Sequence, residues 1–245
     1  MKNRKINIGT SGWHYKHWKP LFYPSEISNA RQFAHYATFF NTVEINNSFY
    51  RLPAREVFAE WHRTSPAGFL FAVKAPRFFT HMKKLIPEPE GMSRFLDYAG
   101  ALKEKLGPVL FQLPPRWKVN TERLRIFLSQ LPKGFRFAVE FRNPTWYTDE
   151  VYAILKEYNI GFCIYELDGH ISPFMVTADF IYIRLHGPGA KYQGSYSGKV
   201  LADWAKSIRK WVRARKDVYI YFDNDQEAYA VYNARTLAAL LKQKR

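Results

Sequence analysis

Seven residues of this chain carry charge or proton-active groups of the kind that build an active centre: Glu44, Glu140, Asp223, Lys74, Arg142, Arg184 and His186. A carboxylate or an imidazole of tuned pKa moves a proton. Arginine presents a planar fork of donors that matches a carboxylate or a phosphate. Such a set suits a small anionic substrate, phosphorylated or sugar-like, and general acid–base chemistry upon it. In this reading Glu44, Glu140 and His186 are catalytic. Lys74, Arg142 and Arg184 hold the anion, and Trp13, Asn46, Tyr50, Gln112, Asp223 and Asn224 complete the substrate-binding set. Plainer readings stand beside it. Glu140 and Arg142 can pair with each other, His186 can be a core histidine bonded to a carbonyl, and the whole set can be a paired polar plug.

Glu44, Glu140, His186 and Asp223 also suit a divalent ion. No H-x-H or H-E-x-x-H spacing occurs, and Arg and Lys stand close by, so no metal site is expected. A single cysteine, Cys163, excludes an intramolecular disulfide and a cysteine-based zinc site. A retaining glycosidase needs carboxyl groups about 5 Å apart, which the separation of Glu44 from Glu140 in the chain does not establish. Gly9-Thr10-Ser11-Gly12 is not G-x-G-x-x-G, and no Walker pattern is present. The sequence therefore points to no particular cofactor. The glycine-rich run from His186 to Gly198 leads into a helix and suits either a phosphate cradled by backbone amides or a mobile lid.

These residues must be positioned by elements, and the elements are legible. Runs rich in Val, Ile, Phe and Tyr predict strands at Ile6–Thr10, Val43–Asn46, Phe69–Lys74, Val109–Gln112, Phe135–Glu140, Gly161–Tyr165, Phe180–Leu185 and Val218–Phe222. Helix-period segments lie between them at Ala30–Phe40, Ala54–His62, Ser93–Lys105, Thr121–Leu131, Asp149–Tyr158, Ser197–Arg215 and Gln226–Leu241. The sixth connection, Glu166 to Asp179, is read as short and irregular. Alternation of strand and helix implies a parallel sheet. Eight such units over 245 residues fit a single α/β domain, a (β/α)8 barrel of the TIM type spanning residues 1–245. The charged residues fall at the C-terminal strand ends, where such barrels place their active sites.

Composition sets the outer limits. The chain has 37 Lys and Arg against 21 Asp and Glu, a net charge of +16, and 47% of its residues are hydrophobic. That content builds a core and excludes a disordered chain. The charge attracts anions, including nucleic acid. Aromatic residues interleave with Lys and Arg on the loops, as a stacking surface for bases requires. A nucleic-acid-binding protein, with phosphodiesterase chemistry as a variant, is thus the alternative to a small-molecule enzyme. A basic face on the helix from Ser197 is a further candidate contact. No apolar run reaches the roughly 18 residues of a membrane helix, and Met1-Lys2-Asn3-Arg4-Lys5 leads into no signal-peptide core. The expected setting is a reducing cytoplasm without membrane association; the oligomeric state is left open.

Several strings occur in order: Gly9-Thr10-Ser11-Gly12-Trp13, Thr42-Val43-Glu44-Ile45-Asn46-Asn47-Ser48-Phe49-Tyr50, Phe71-Ala72-Val73-Lys74-Ala75-Pro76, Phe111-Gln112-Leu113-Pro114-Pro115, Val139-Glu140-Phe141-Arg142, Ile183-Arg184-Leu185-His186-Gly187 and Tyr221-Phe222-Asp223-Asn224-Asp225. Their order and spacing resemble the domain-of-unknown-function 72 family, the YecE-like proteins, over nearly the whole chain. The resemblance implies a TIM-type barrel and a bacterial or archaeal cytoplasmic protein. It implies no activity.

Overall fold

The computed structural model describes residues 5–243. The first four residues and the last two of the basic tail lie outside them. Strands occupy Ile6–Thr10 (β1), Thr42–Ile45 (β2), Leu70–Lys74 (β3), Leu106–Gln112 (β4), Phe137–Glu140 (β5), Gly161–Leu167 (β6), His170–Ile171 (β7), Phe180–Leu185 (β8) and Asp217–Phe222 (β9). Helices occupy Asn29–Ala37 (α1), Arg55–Thr64 (α2), Pro89–Gly100 (α3), Thr121–Ser129 (α4), Asp149–Glu157 (α5), Gly198–Arg213 (α6) and Tyr229–Lys242 (α7). The strand order is β1-β9-β8-β6-β5-β4-β3-β2, with β7 paired to β6. A parallel bridge between Ser11 and Glu44 joins the end of β1 to β2, so the order returns on itself. Parallel strands with alternating helices in this order are a (β/α)8 fold of the TIM type.

Contacts divide the chain into two compact units. One is Met1–Glu44 with Ile164–Ser172 and Asp179–Arg245; the other is Ile45–Cys163 with Pro173–Ala178. In the first, β8 pairs with β9 from Phe180 against Asp217 to Leu185 against Phe222, and β9 pairs with β1. Gly9 is required here, because a Cβ would lie 2.2 Å from the carbonyl oxygen of Thr42. In the second, β3, β4, β5 and the start of β6 pair in parallel. Outward side chains meet the helices. Phe71 stacks near Trp61 of α2, and Phe111 meets Phe127 of α4 edge-on at 5.1 Å. Each such aromatic pair adds to the stability given by burial alone.

Boundaries differ from the sequence expectation where local chemistry is strong. Helix α3 starts at Pro89 rather than Ser93, because proline fits the first helical turn, where its missing N–H costs nothing. The sixth connection carries no helix but turns through a hairpin in which Leu167 pairs with His170. Asp168 and Gly169 form that turn at φ +56° and +74°, the left-handed pair that a two-residue hairpin needs. Helix α7 starts at Tyr229 rather than Gln226, since Glu227 and Ala228 take left-handed φ values of +50° and +57°.

Candidate active site

In the first unit the strand ends converge on one guanidinium. Arg184 is the penultimate residue of β8 and is 1% exposed. Its Nε donates to both carboxylate oxygens of Glu44 at 3.1 and 3.0 Å, and its Nη2 to Glu44 Oε1 at 2.8 Å. The same Nη2 donates to Asp223 Oδ2 at 2.9 Å. Nη1 lies 3.0 Å from His186 Nε2. Glu44, fully buried, also accepts from the Ser11 hydroxyl and from Tyr182 OH, the latter at 2.6 Å.

Backbone bonds hold these groups in register. Gly12 N donates to Glu44 O, Asp223 N to Leu185 O, and Ser11 N to Phe222 O, at 2.7–2.8 Å. His186 N and Nδ1 both approach the carbonyl oxygen of Glu166, each at 3.0 Å. A carbonyl only accepts, so Nδ1 carries the proton. Nε2 is then the acceptor for Arg184, and the imidazole is neutral. The plain reading of His186 as a histidine bonded to a carbonyl is thus realised, and the same bond fixes its tautomer. With His186 neutral, two carboxylates surround one guanidinium and the group carries −1. Glu44, Asp223 and His186 are a donor set that suits a metal ion, but Arg184 already occupies its centre. Among the described residues no group of three or more His, Cys, Asp or Glu is placed to hold a metal.

Burial acts on the phenols around this group. It pushes the Tyr182 hydroxyl well above its ordinary pKa, and the Glu44 charge adds to that. Tyr15 is also raised, first by burial and then by Asp223, Asp225 and Glu44. Neither phenol ionises near neutrality, so both act as donors. Glu166 stands apart from this group through its side chain. Its carboxyl, raised by burial, accepts from Tyr196 OH, and one of its oxygens, Oε2, has no partner.

Two other predicted residues lie in this unit. Asn224 is fully buried and donates to Gly194 O and Asn233 Oδ1, tying the loop after β8 to α7. Trp13 packs edge-on against Phe33 at 5.3 Å.

The second unit holds the remaining predicted residues. Arg142 Nε donates to Glu140 Oε1, so this pair does form, and Cys163 Sγ lies 3.7 Å from Glu140 Oε2. Gln112 stands beside Glu140 in register at the ends of β4 and β5. The Lys74 ammonium lies 4.2 Å over the Phe49 ring, a cation–π contact. His81, near Lys74 and Arg77, has its pKa pushed down to about 4, chiefly by burial and then by those two cations. Asn46 precedes the short helical turn Asn47–Phe49 without a side-chain capping bond, and Tyr50 beyond it is 75% exposed. Trp146 is fully buried, a loop pin rather than a stacking surface, and in the first unit Trp18 is buried likewise.

Sequence reasoning missed Ser11, Tyr15, Tyr182, Cys163 and Glu166. Tyr182 shares strand parity with Arg184 and His186, so alternation alone would have found it. Cys163 shares parity with Tyr165 in the same way. Ser11 stands within one of the strings above with nothing to mark it as a donor to a carboxylate, and nothing local marks Tyr15 or Glu166.

Parallel strands, alternating helices and a buried ionic group at the C-terminal strand ends define a barrel of the TIM class. The chain belongs to the family described as "Protein of unknown function DUF72", which it matches over residues 7–245. It is 25% identical over 276 residues to the UPF0759 protein YunF of Bacillus subtilis, covering 96% of this chain and 94% of that protein. The UPF0759 protein YecE of Escherichia coli is 30% identical over 143 residues, covering 58% of this chain and 50% of YecE. A crystal structure of a DUF72 family protein from Thermotoga maritima superposes with a TM-score of 0.88 at 27% identity, covering 98% of this chain and all of the other. A DUF72 family protein from Enterococcus faecalis shares the fold, with a TM-score of 0.83 at 22% identity, covering 98% of this chain and 96% of the other. No described helix is long and apolar enough to cross a membrane.

Proposed function

We propose that the chain is an enzyme performing general acid–base chemistry on a small anionic substrate at the C-terminal ends of β1, β2, β8 and β9. One observation supports this above the others: side chains from four strands converge on the buried Arg184 guanidinium. Burying such ions costs several kcal/mol, and well-packed apolar side chains often serve stability as well or better. Asp223 is the outermost ionic member, its side chain 9% exposed. In this reading Asp223 takes and returns the substrate proton. Arg184 orients Asp223, Glu44 holds Arg184, and His186 completes the frame as a neutral acceptor. A group of charge −1 attracts hydroxyl donors and repels phosphate at contact. A sugar-like portion therefore faces Asp223, while the net charge of +16 steers the anionic molecule towards the protein.

The test is a panel of sugar acids, phosphorylated sugars and matched neutral sugars incubated with wild type and Asp223→Asn. Turnover of an anionic member, lowered at least a hundredfold in the variant with its circular dichroism unchanged, is the expected result. Undiminished turnover in the variant would remove Asp223 from the chemistry. Failure of the variant to fold would return the group to a structural plug.

Nucleic-acid binding is the second reading, supported by a separate observation in the second unit. Tyr50 stands exposed beside Arg51, which is also exposed. An exposed ring with an adjacent cation suits a stacked base and its phosphate. Binding of single-stranded oligonucleotide is then expected to weaken steeply between 50 and 200 mM salt, as roughly one counterion is released per phosphate contact. Tyr50→Ala should weaken it severalfold at fixed salt. Affinity independent of salt would dispose of this reading.

A further inference from the structure

We propose that the groove between α3 and α4, on the outer helical face of the second unit, is a binding site for a small apolar molecule bearing a cationic amine. Helix α2 packs on α3, and α4 packs on α5, but α3 and α4 have no comparable packing between them. The gap encloses about 640 Å3, within the range of about 300–1,000 Å3 typical of small-molecule sites. Met92 and Leu96 of α3 form one wall. Phe127 of α4, with Leu131 and Phe135 beyond it, forms the other. Met92, Leu96 and Phe127 form a buried floor, while Leu131 and Phe135 stay partly exposed at the mouth, where an apolar molecule would cover them.

Charge selects the occupant. The chain as a whole is +16, yet the residues lining this groove include Glu88 and Asp97 and no Lys, Arg or His. Each carboxylate has one outside partner. Glu88 pairs with Lys83 at 2.5 Å, and Asp97 with Arg55 at 3.6 Å. The Asp97 pair is long and both its side chains are more than half exposed, so it is a weak contact that an incoming ammonium can replace. The site lies apart from the acid–base group and does not depend on that reading.

The probe is 1-naphthylmethylamine, titrated calorimetrically against the full chain beside 1-naphthylacetate and the neutral 1-naphthylmethanol. Non-specific attraction to a +16 protein favours the acetate, so preference for the amine isolates the local chemistry. Saturable binding of the amine, tighter than either analogue, is expected. Asp97→Asn should weaken the amine by about 1.4- to fivefold, the range for an exposed charge contact, and leave naphthylmethanol unchanged. Ser93 is exposed and lines the groove, so Ser93→Trp should fill it and abolish binding of both while the fold persists. No saturable binding, preference for the acetate, or binding untouched by Ser93→Trp would each overturn the proposal.

Discussion

Glu44 has no simple substitute. It accepts from Ser11, Tyr182 and two nitrogens of Arg184 while excluded from water. Changing it to glutamine leaves the guanidinium with Asp223 as its remaining carboxylate among these partners. Loss of one member of a buried pair costs about 3–5 kcal/mol, and Glu44→Gln should lose that much in urea denaturation. Arg184→Lys should not be milder. An ammonium carries the charge but cannot span Glu44, Asp223 and His186 with a rigid fork. A loss under 1 kcal/mol for either variant would mean that the group contributes little to holding the strand ends. These residues were legible because charge at the end of an apolar strand is conspicuous. Their partners were less so. Alternation puts Tyr182 on the side of Arg184 and His186, but only the structure sets its hydroxyl against Glu44.

Between elements, the loop after β8 is tied down by contacts that a titration can probe. Gly187 has φ +109°, and a Cβ there would lie 2.1 Å from Gln193 O, so only glycine closes this loop. Its N–H donates to Tyr196 OH, and that hydroxyl in turn donates to the Glu166 carboxyl at the end of β6. Burial raises the pKa of Glu166 above its ordinary 4.5. A carboxyl raised in this way binds its proton more tightly in the folded state. Its contribution is full below pH 4.5 and is lost as the pH rises through the raised value. Thermal melts of wild type and Glu166→Gln from pH 4 to 8 should therefore diverge, wild type losing ground as the pH increases. Parallel curves would show that Glu166 does not titrate there. The eight main strands were readable from β-branched and aromatic runs. The β6–β7 hairpin lies in the connection expected to be short and irregular, although Asp168-Gly169 is a hairpin-turn pair. The start of α7 left no such signal, since Glu227 and Ala228 are ordinary helix formers in left-handed conformations.

At the scale of the whole chain, both contact units draw on β2 and β6, each of which runs through a unit boundary. We propose on this ground that residues 1–245 form one folding domain. Urea denaturation followed by far-ultraviolet circular dichroism and by tryptophan fluorescence should give coincident single transitions, the mark of a two-state domain. Two separated midpoints would instead establish the units as independent. The overall architecture was open to sequence reasoning because a repeating alternation is a long-range pattern that survives errors at any one boundary. The roles of the charged residues were not, since parity says which side of a strand a group occupies but not which partner awaits it.

The cation at the centre of Glu44 and Asp223 is a guanidinium, part of Arg184 itself. That cation is made with the chain, so it is neither acquired from the medium nor surrendered to a chelator. Scarcity of a trace element does not empty it, and no competing ion displaces it. It keeps its charge over the whole physiological pH range. What such a centre gives up is an open coordination position and Lewis acidity; what it gains is constancy in any environment the cell meets.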